Sequence, residues 1–299
     1  MYDLIIIGGG PAGLTAAAYA LHRRLETLLI AEDLGGKVNY HIKLEGLEGH
    51  ETITGADLVN KFKRQLEYLQ FAHQMDRVST VTPMDGYFAL ITKTDRRYQT
   101  RALVIATGVR AVPLNVPGEQ RLLGHGVSYS ALSHAQVFIE KEAAILGSGA
   151  RALRGAAELA NVAAQVHLLL PEPGVIDSPL GQKLRANPKV TVHENVEVSE
   201  IRGDPFVESV LVRHRGDGEA REIPVDGLFI ELGLVPNSQL VADLGITDSS
   251  GRIVVDSKCV ASYPGIFAAG DVTDTIIEQV LVAMGEGAKA ALSAYDYLL

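Results

Sequence analysis

Thirteen residues at the start of the chain, MYDLIIIGGGPAG, constrain its fold more than any other stretch. Asp3 to Ile7 is a short apolar run with three consecutive isoleucines, which reads as a fully buried parallel strand. Gly8, Gly10 and Gly13 follow with the G-x-G-x-x-G spacing, and the Ala-rich stretch Leu14 to Leu21 reads as helix. Strand, glycine turn and helix in this order mark a dinucleotide site. Gly8 allows the tight turn, Gly10 lets a backbone approach a pyrophosphate, and Gly13 lets helix and strand pack closely. Pro11, Ala12 and Gly13 open the helix, whose unpaired N–H groups and positive dipole end face the phosphates. Pro11 suits that position because the first helical residue has no intrahelical N–H bond to lose.

The second strand is Thr27 to Ala31, and Glu32 and Asp33 stand just past it. An acid at this strand's end binds a ribose hydroxyl in such folds, and Glu32 is the candidate. Further along, a helix is expected from about Gly55 to Leu69, strands at Arg77 to Thr82, Tyr87 to Lys93 and Leu103 to Ala106, and a turn at Val116 to Glu119. A second glycine fingerprint, Gly147-Ser148-Gly149-Ala150-Arg151-Ala152, follows the strand Ala143 to Leu146. At 299 residues two domains are the default. A net charge of −9 argues against a surface that tracks nucleic-acid phosphates. The first apolar run is too short for a membrane span and lacks a basic flank, so the chain reads as soluble and cytoplasmic, with no membrane partner. The lone cysteine, Cys259, makes no internal disulfide, dithiol relay or cysteine-based zinc site by itself, and no metal is expected.

These motifs, with Gly35-Gly36, Ile53-Thr54-Gly55, Ala106-Thr107-Gly108, Gly126 to Tyr129, Gly233 to Asn237 and Gly265 to Val272, resemble the low-molecular-weight thioredoxin reductase family in order and spacing. The resemblance implies an α/β fold with two Rossmann-like dinucleotide-binding domains, the second inserted in the first. The FAD-binding domain would be discontinuous, 1–112 and 244–299, and the NAD(P)-binding-like domain would be 113–243. It implies FAD as cofactor, held by the first fingerprint with Gly36, Ala106, Thr107 and Gly108, and by Val78 at the adenine end. Asp271 would accept a hydrogen bond from a ribityl hydroxyl. A helix is expected to begin near Thr275, with Thr273 and Asp274 as caps. Its N-terminal region at Gln279 and Val280 would face the flavin pyrimidine edge, where a helix dipole stabilises reduced flavin. The resemblance also implies a homodimer.

Four departures matter. The family's Cys-x-x-Cys is here Ser130-Ala131-Leu132-Ser133, followed by His134. Serine forms no disulfide and is no comparable nucleophile without a base, and His134 is expected to face away from Ser133. Direct thioredoxin reduction through this chain is therefore not expected. Second, the acidic pair that the family carries on the second fingerprint helix is here Arg154 and Gly155. Third, the family's His-Arg-Arg, which holds the NADPH 2′-phosphate, is here Leu170-Pro171-Glu172. Glu172 repels a phosphate and suits a ribose 2′-hydroxyl, which disfavours NADPH and admits NADH, another adenine nucleotide or an empty, structural domain. Fourth, Lys37 replaces a glutamine. Near the flavin it would stabilise negative charge; pointing outward it is a surface lysine.

Cys259, in a strand-like segment from Arg252 to Ala261, reads as an inert buried thiol. No residue is an evident general acid or base. The expectation is an FAD-dependent oxidoreductase without a redox-active disulfide. Its flavin would exchange electrons directly with a small molecule or redox protein. The ferredoxin–NADP reductases of this scaffold do so without a disulfide, but carry a C-terminal extension over the flavin that is not expected past Leu299. The alternative is a non-catalytic flavin-binding sensor or regulatory protein.

Overall fold

The computed structural model describes residues 1–39, 42–45, 56–68, 72–275 and 277–299. The expected motif Ile53-Thr54-Gly55 lies outside the described residues. The chain forms two compact units, one from Met1–Asn39, Ile53–Arg110 and Val235–Leu299, the other from Tyr40–Thr52 and Ala111–Leu234.

In the first unit, parallel strands stand in the order His73–Met75, Thr27–Ala31, Tyr2–Ile7, Arg97–Ile105 and Ile266–Ala268. The opening apolar run is central, and Leu4, Ile5 and Ile6 expose 0% of their surface. Both faces of the sheet are covered, so its strands carry continuous apolar runs instead of alternation. On one face lie the fingerprint helix Pro11–His22 and the C-terminal helix Val280–Leu298, meeting through Ala16, Ala17, Ala290 and Ala294. Arg97–Ile105 serves two partners along one edge: Arg97 to Thr100 pairs antiparallel with Phe88–Thr92, and Leu103 to Ile105 pairs parallel with Ile266–Ala268.

The second unit repeats the plan. Its parallel sheet runs Val190–Glu194, Gln165–Leu170, Glu142–Leu146, Gly227–Ile230, Val127–Ser128, with the second fingerprint after the central strand. An antiparallel sheet of Val196–Arg202, Ser209–His214 and Ala220–Pro224 completes it. The α/β class with two Rossmann-like folds is thus as expected. Among the described residues no helix is long and apolar enough to cross a membrane.

Two local expectations are corrected. The helix expected near Thr275 starts at Val280, with Gln279 as an N-cap that makes no side-chain bond. Thr273 Oγ1 instead donates to Gly270 O at 2.8 Å, and Asp274 Oδ1 accepts from Val255 N at 3.3 Å, so neither hydroxyl nor carboxylate serves the helix. Arg252 to Ala261 makes only isolated bridges. The Asp256 carboxylate accepts from Lys258 N and Val260 N, building a turn that holds Cys259 at φ +63°.

Helices and fingerprint touch backbone to backbone. A Cβ on Gly13 would lie 1.9 Å from Gly8 O, and one on Gly287 would lie 2.1 Å from Ala12 O. Gly287→Ala is therefore expected to destabilise by about 2 kcal/mol through overpacking, lowering the thermal midpoint by about 6 °C. Gly285, two residues earlier, has nothing within 4 Å of its virtual Cβ. There Gly285→Ala is expected to stabilise by up to about 1 kcal/mol through helix propensity. Circular-dichroism melts of the two variants check the sign of each.

Candidate functional site

Each sequence-predicted residue of the first unit lies just beyond the carboxyl end of a parallel strand or at the start of the C-terminal helix. Gly8 to Gly13 follow Tyr2–Ile7, and Glu32, Gly36 and Lys37 follow Thr27–Ala31. Val78 follows His73–Met75, Ala106 to Gly108 follow Arg97–Ile105, and Asp271 follows Ile266–Ala268. Open α/β sheets bind ligands at this rim. The three fingerprint glycines separate by environment. Gly8 has φ +114°, and a Cβ on it would lie 2.2 Å from Ala106 O. Gly8 and Gly13 are thus required by the chain's own packing. Gly10 has ordinary extended backbone, φ −73° and ψ −177°, and nothing within 4 Å of its virtual Cβ. Its missing side chain leaves room beside the helix N-terminus, which no side chain caps. That is a cradle a Cβ would fill, and it suits a dinucleotide's pyrophosphate.

The acids around this rim are individually held. Asp33 Oδ1 accepts from Gly36 N at 2.8 Å and shapes the turn, while Glu32 stays exposed with Arg77 3.9 Å away. Asp271, whose side chain is 14% exposed, pairs with Lys37 Nζ at 2.6 Å. Arg252 Nη1 donates to Asp271 O at 2.9 Å and Thr273 O at 3.1 Å, and its Nη2 to Glu278 Oε1 at 2.8 Å. Gly270 N donates to Glu286 Oε2 at 2.8 Å. Arg252 and Glu286 therefore shape the loop that presents Asp271. Sequence reading misses both, since neither lies in a motif. Val78 is buried at the start of its strand. Thr107 Oγ1 donates to Asn237 O at 2.7 Å and Asn237 Nδ2 to Thr107 O at 3.0 Å, tying the Ala106-Thr107-Gly108 stretch to the last residue of the GLVPN motif.

In the second unit Gly147 has φ +149° and a virtual Cβ 2.4 Å from Glu231 O, while Gly149 has open space, the same division as Gly8 and Gly10. Ala152 takes Gly13's place and is fully buried. Gly155 stands where the resembled family has an acid, and its virtual Cβ lies 2.6 Å from Ala131 Cβ, so no side chain fits. Glu172 N donates to Ser148 Oγ at 3.1 Å and Ser148 Oγ donates to Glu172 O at 2.7 Å. This fixes Glu172 at the fingerprint loop with its carboxylate exposed. Arg151 Nε meets buried Glu231 at 3.0 Å. At the Pro171 turn, Arg215 Nη1 donates to Pro171 O at 3.3 Å, and its Nε lies 3.6 Å from Glu197.

Ser130 Oγ donates to Ser133 Oγ at 2.9 Å. His134 Nδ1 meets Ser128 Oγ at 2.8 Å, a residue that sequence spacing does not suggest as its partner. Ser128 is buried, so this contact braces the segment and presents no nucleophile. Glu231 Oε1 also accepts Ala131 N at 2.9 Å and anchors the segment from below. Among the described residues no group of His, Cys, Asp and Glu could hold a metal ion.

With this geometry in view, the profile of the pyridine nucleotide-disulphide oxidoreductase family matches residues 2–287. A thioredoxin reductase from Streptococcus pyogenes MGAS5005 superposes with a TM-score of 0.88 at 33% identity, covering 100% of this chain and 98% of that one. An NADH dehydrogenase from Bacillus subtilis is 32% identical over 300 residues, covering 100% of this chain and 59% of its own length. An alkyl hydroperoxide reductase component from Staphylococcus epidermidis is 30% identical with the same coverage. The chain thus spans 59% of the length of these two curated relatives.

Cys259 is free and 3% exposed, and burial pushes its thiol up to about 11. At pH 8 that leaves about one thiolate in a thousand. Ellman's reagent is expected to label the native protein at pH 8 orders of magnitude more slowly than the same protein in denaturant. Rapid native labelling would place the thiol at the surface.

Proposed function

We propose that this chain, which belongs to the pyridine nucleotide-disulphide oxidoreductase family, is an FAD-dependent oxidoreductase that passes electrons without a disulfide of its own. Family membership implies FAD and a nicotinamide nucleotide. The open cradle at Gly10, facing an uncapped helix N-terminus at the rim that also carries Asp271, is the observation that carries the reading. Gly8 to Gly13 would bind the pyrophosphate, Glu32 a ribose hydroxyl, and Asp271 a ribityl hydroxyl. Ala106 to Gly108 and Val78 would border the cofactor, and Gln279 with Val280 would bring the C-terminal helix dipole to it. Bound FAD supplies the two-electron exchange.

The second unit supports a nicotinamide partner over an empty domain, because Gly149 keeps the same open approach as Gly10. Glu172 at the fingerprint loop favours NADH: a carboxylate accepts from a ribose 2′-hydroxyl and repels a 2′-phosphate. Arg151 and Arg215 already face Glu231 and Glu197. Ser130 and Ser133 supply no sulfur, so the acceptor is reached without a dithiol relay and thioredoxin is not a partner of this chain alone. The acceptor is a small oxidant or a redox protein that carries its own centre.

Purified protein is expected to be yellow with about one non-covalent FAD per chain. Gly10→Val should abolish binding while leaving the melt intact, because the side chain points into space that the protein does not fill. A fully loaded Gly10→Val protein overturns the assignment.

In stopped-flow mixing, NADH is expected to reduce the flavin faster than NADPH, and Glu172→Arg to move the preference towards NADPH by about tenfold or more, the effect of about 1.4 kcal/mol. Fast reduction by NADPH with thioredoxin turnover by the unmodified chain sinks the reading. An unchanged ratio in Glu172→Arg removes Glu172 from the site.

A further inference from the structure

Lys37 leaves its side chain 49% exposed, and its ammonium meets the Asp271 carboxylate at 2.6 Å. Its placement follows from Gly36, which has φ +60° and a virtual Cβ 3.1 Å from Gly10 Cα. The chain thus lays Lys37 beside the phosphate-approach glycine and reaches from there across to the loop after Ile266–Ala268. The other carboxylates around that loop have partners already, Asp274 in the Val255 N–H, Glu278 in Arg252 and Glu286 in the Gly270 N–H. Asp271 is matched in charge by Lys37.

Resting on the FAD reading above, we propose that Lys37 is a positioning residue that neutralises Asp271 and so raises the site's preference for reduced over oxidised FAD. Reduction adds negative charge to the cofactor. A lone carboxylate held against it, only 14% exposed, opposes that charge, and a carboxylate paired with an ammonium does so far less. Pairing also fixes the carboxylate that is to accept the ribityl hydroxyl. A lysine suits this task because its flexible four-carbon stem keeps the charge on Asp271 while the cofactor enters.

The test is a redox titration of the FAD-loaded protein, with FAD affinity read by flavin fluorescence, for the unmodified chain, Lys37→Gln, Lys37→Arg, Asp271→Asn and the double variant Lys37→Gln/Asp271→Asn. Lys37→Gln is expected to lower the ratio of reduced to oxidised affinity about tenfold, which is about 30 mV in the midpoint of a two-electron couple. Lys37→Arg should keep most of the ratio. On the Asp271→Asn background the Lys37→Gln change should shrink to about twofold or less, because the charge to be neutralised is gone. A general loss of structure would weaken both affinities together and leave the midpoint in place, which counts against the proposal. So does a Lys37→Gln midpoint equal to that of the unmodified chain, or an equal shift on both backgrounds, which means that Lys37 acts on the cofactor directly. If the unmodified chain takes up no FAD, the FAD reading itself has failed. If it takes up FAD and only the Lys37 shift is missing, that reading stands without this residue.

Discussion

The fingerprint helix is held by backbone on backbone. Gly13 lies against Gly8 O, and Gly287 lies against Ala12 O, at separations that leave no room for a Cβ. These contacts set the helix N-terminus directly over the end of the central strand and press the C-terminal helix onto its first turn. Everything proposed for the site depends on that placement, because unpaired N–H groups act on an anion only at close range. A looser helix would still be a helix, but its terminus would no longer be aimed.

The same construction occurs twice with different consequences. In both units the first glycine packs under the backbone that follows a neighbouring strand, and the second faces open space. The second unit has filled the third position with buried Ala152 and removed all space at Gly155, so its helix packs by different contacts while the approach at Gly149 survives. Selection for a tight core alone gives no reason to keep a residue without a side chain where nothing is packed.

Charge is arranged with equal economy. Glu231 is buried, and it receives Arg151 and the Ala131 N–H, so that one carboxylate ties the fingerprint helix to the serine segment. Arg252 does the converse in the first unit, donating to two carbonyls and one carboxylate. Buried or half-buried charges persist only with such full sets of partners, since an unpaired one is strongly destabilising.

The sequence by itself determined both fingerprints, the strands before them and the order of the motifs along the chain, and through their resemblance the fold class. All of these are local signals: apolar runs of strand length, glycines at set spacing, and Ala-rich helices. It also determined that Ser130 and Ser133 stand where the resembled family has its two cysteines, which is a matter of composition. Only the tertiary structure supplied the contacts behind the glycine roles that the motif predicts, because they involve atoms far along the chain, Ala106 under Gly8 and Glu231 under Gly147. It moved the last helix from Thr275 to Val280, since Thr273 and Asp274 bond to other partners. It turned the strand-like segment around Cys259 into an Asp256-centred turn. And it joined Lys37 to Asp271 across 234 positions, a pairing set by the sheet order that brings two strand ends to one rim. Periodicity reads neighbours along the chain. Partners across a sheet are chosen by the packing of the whole unit.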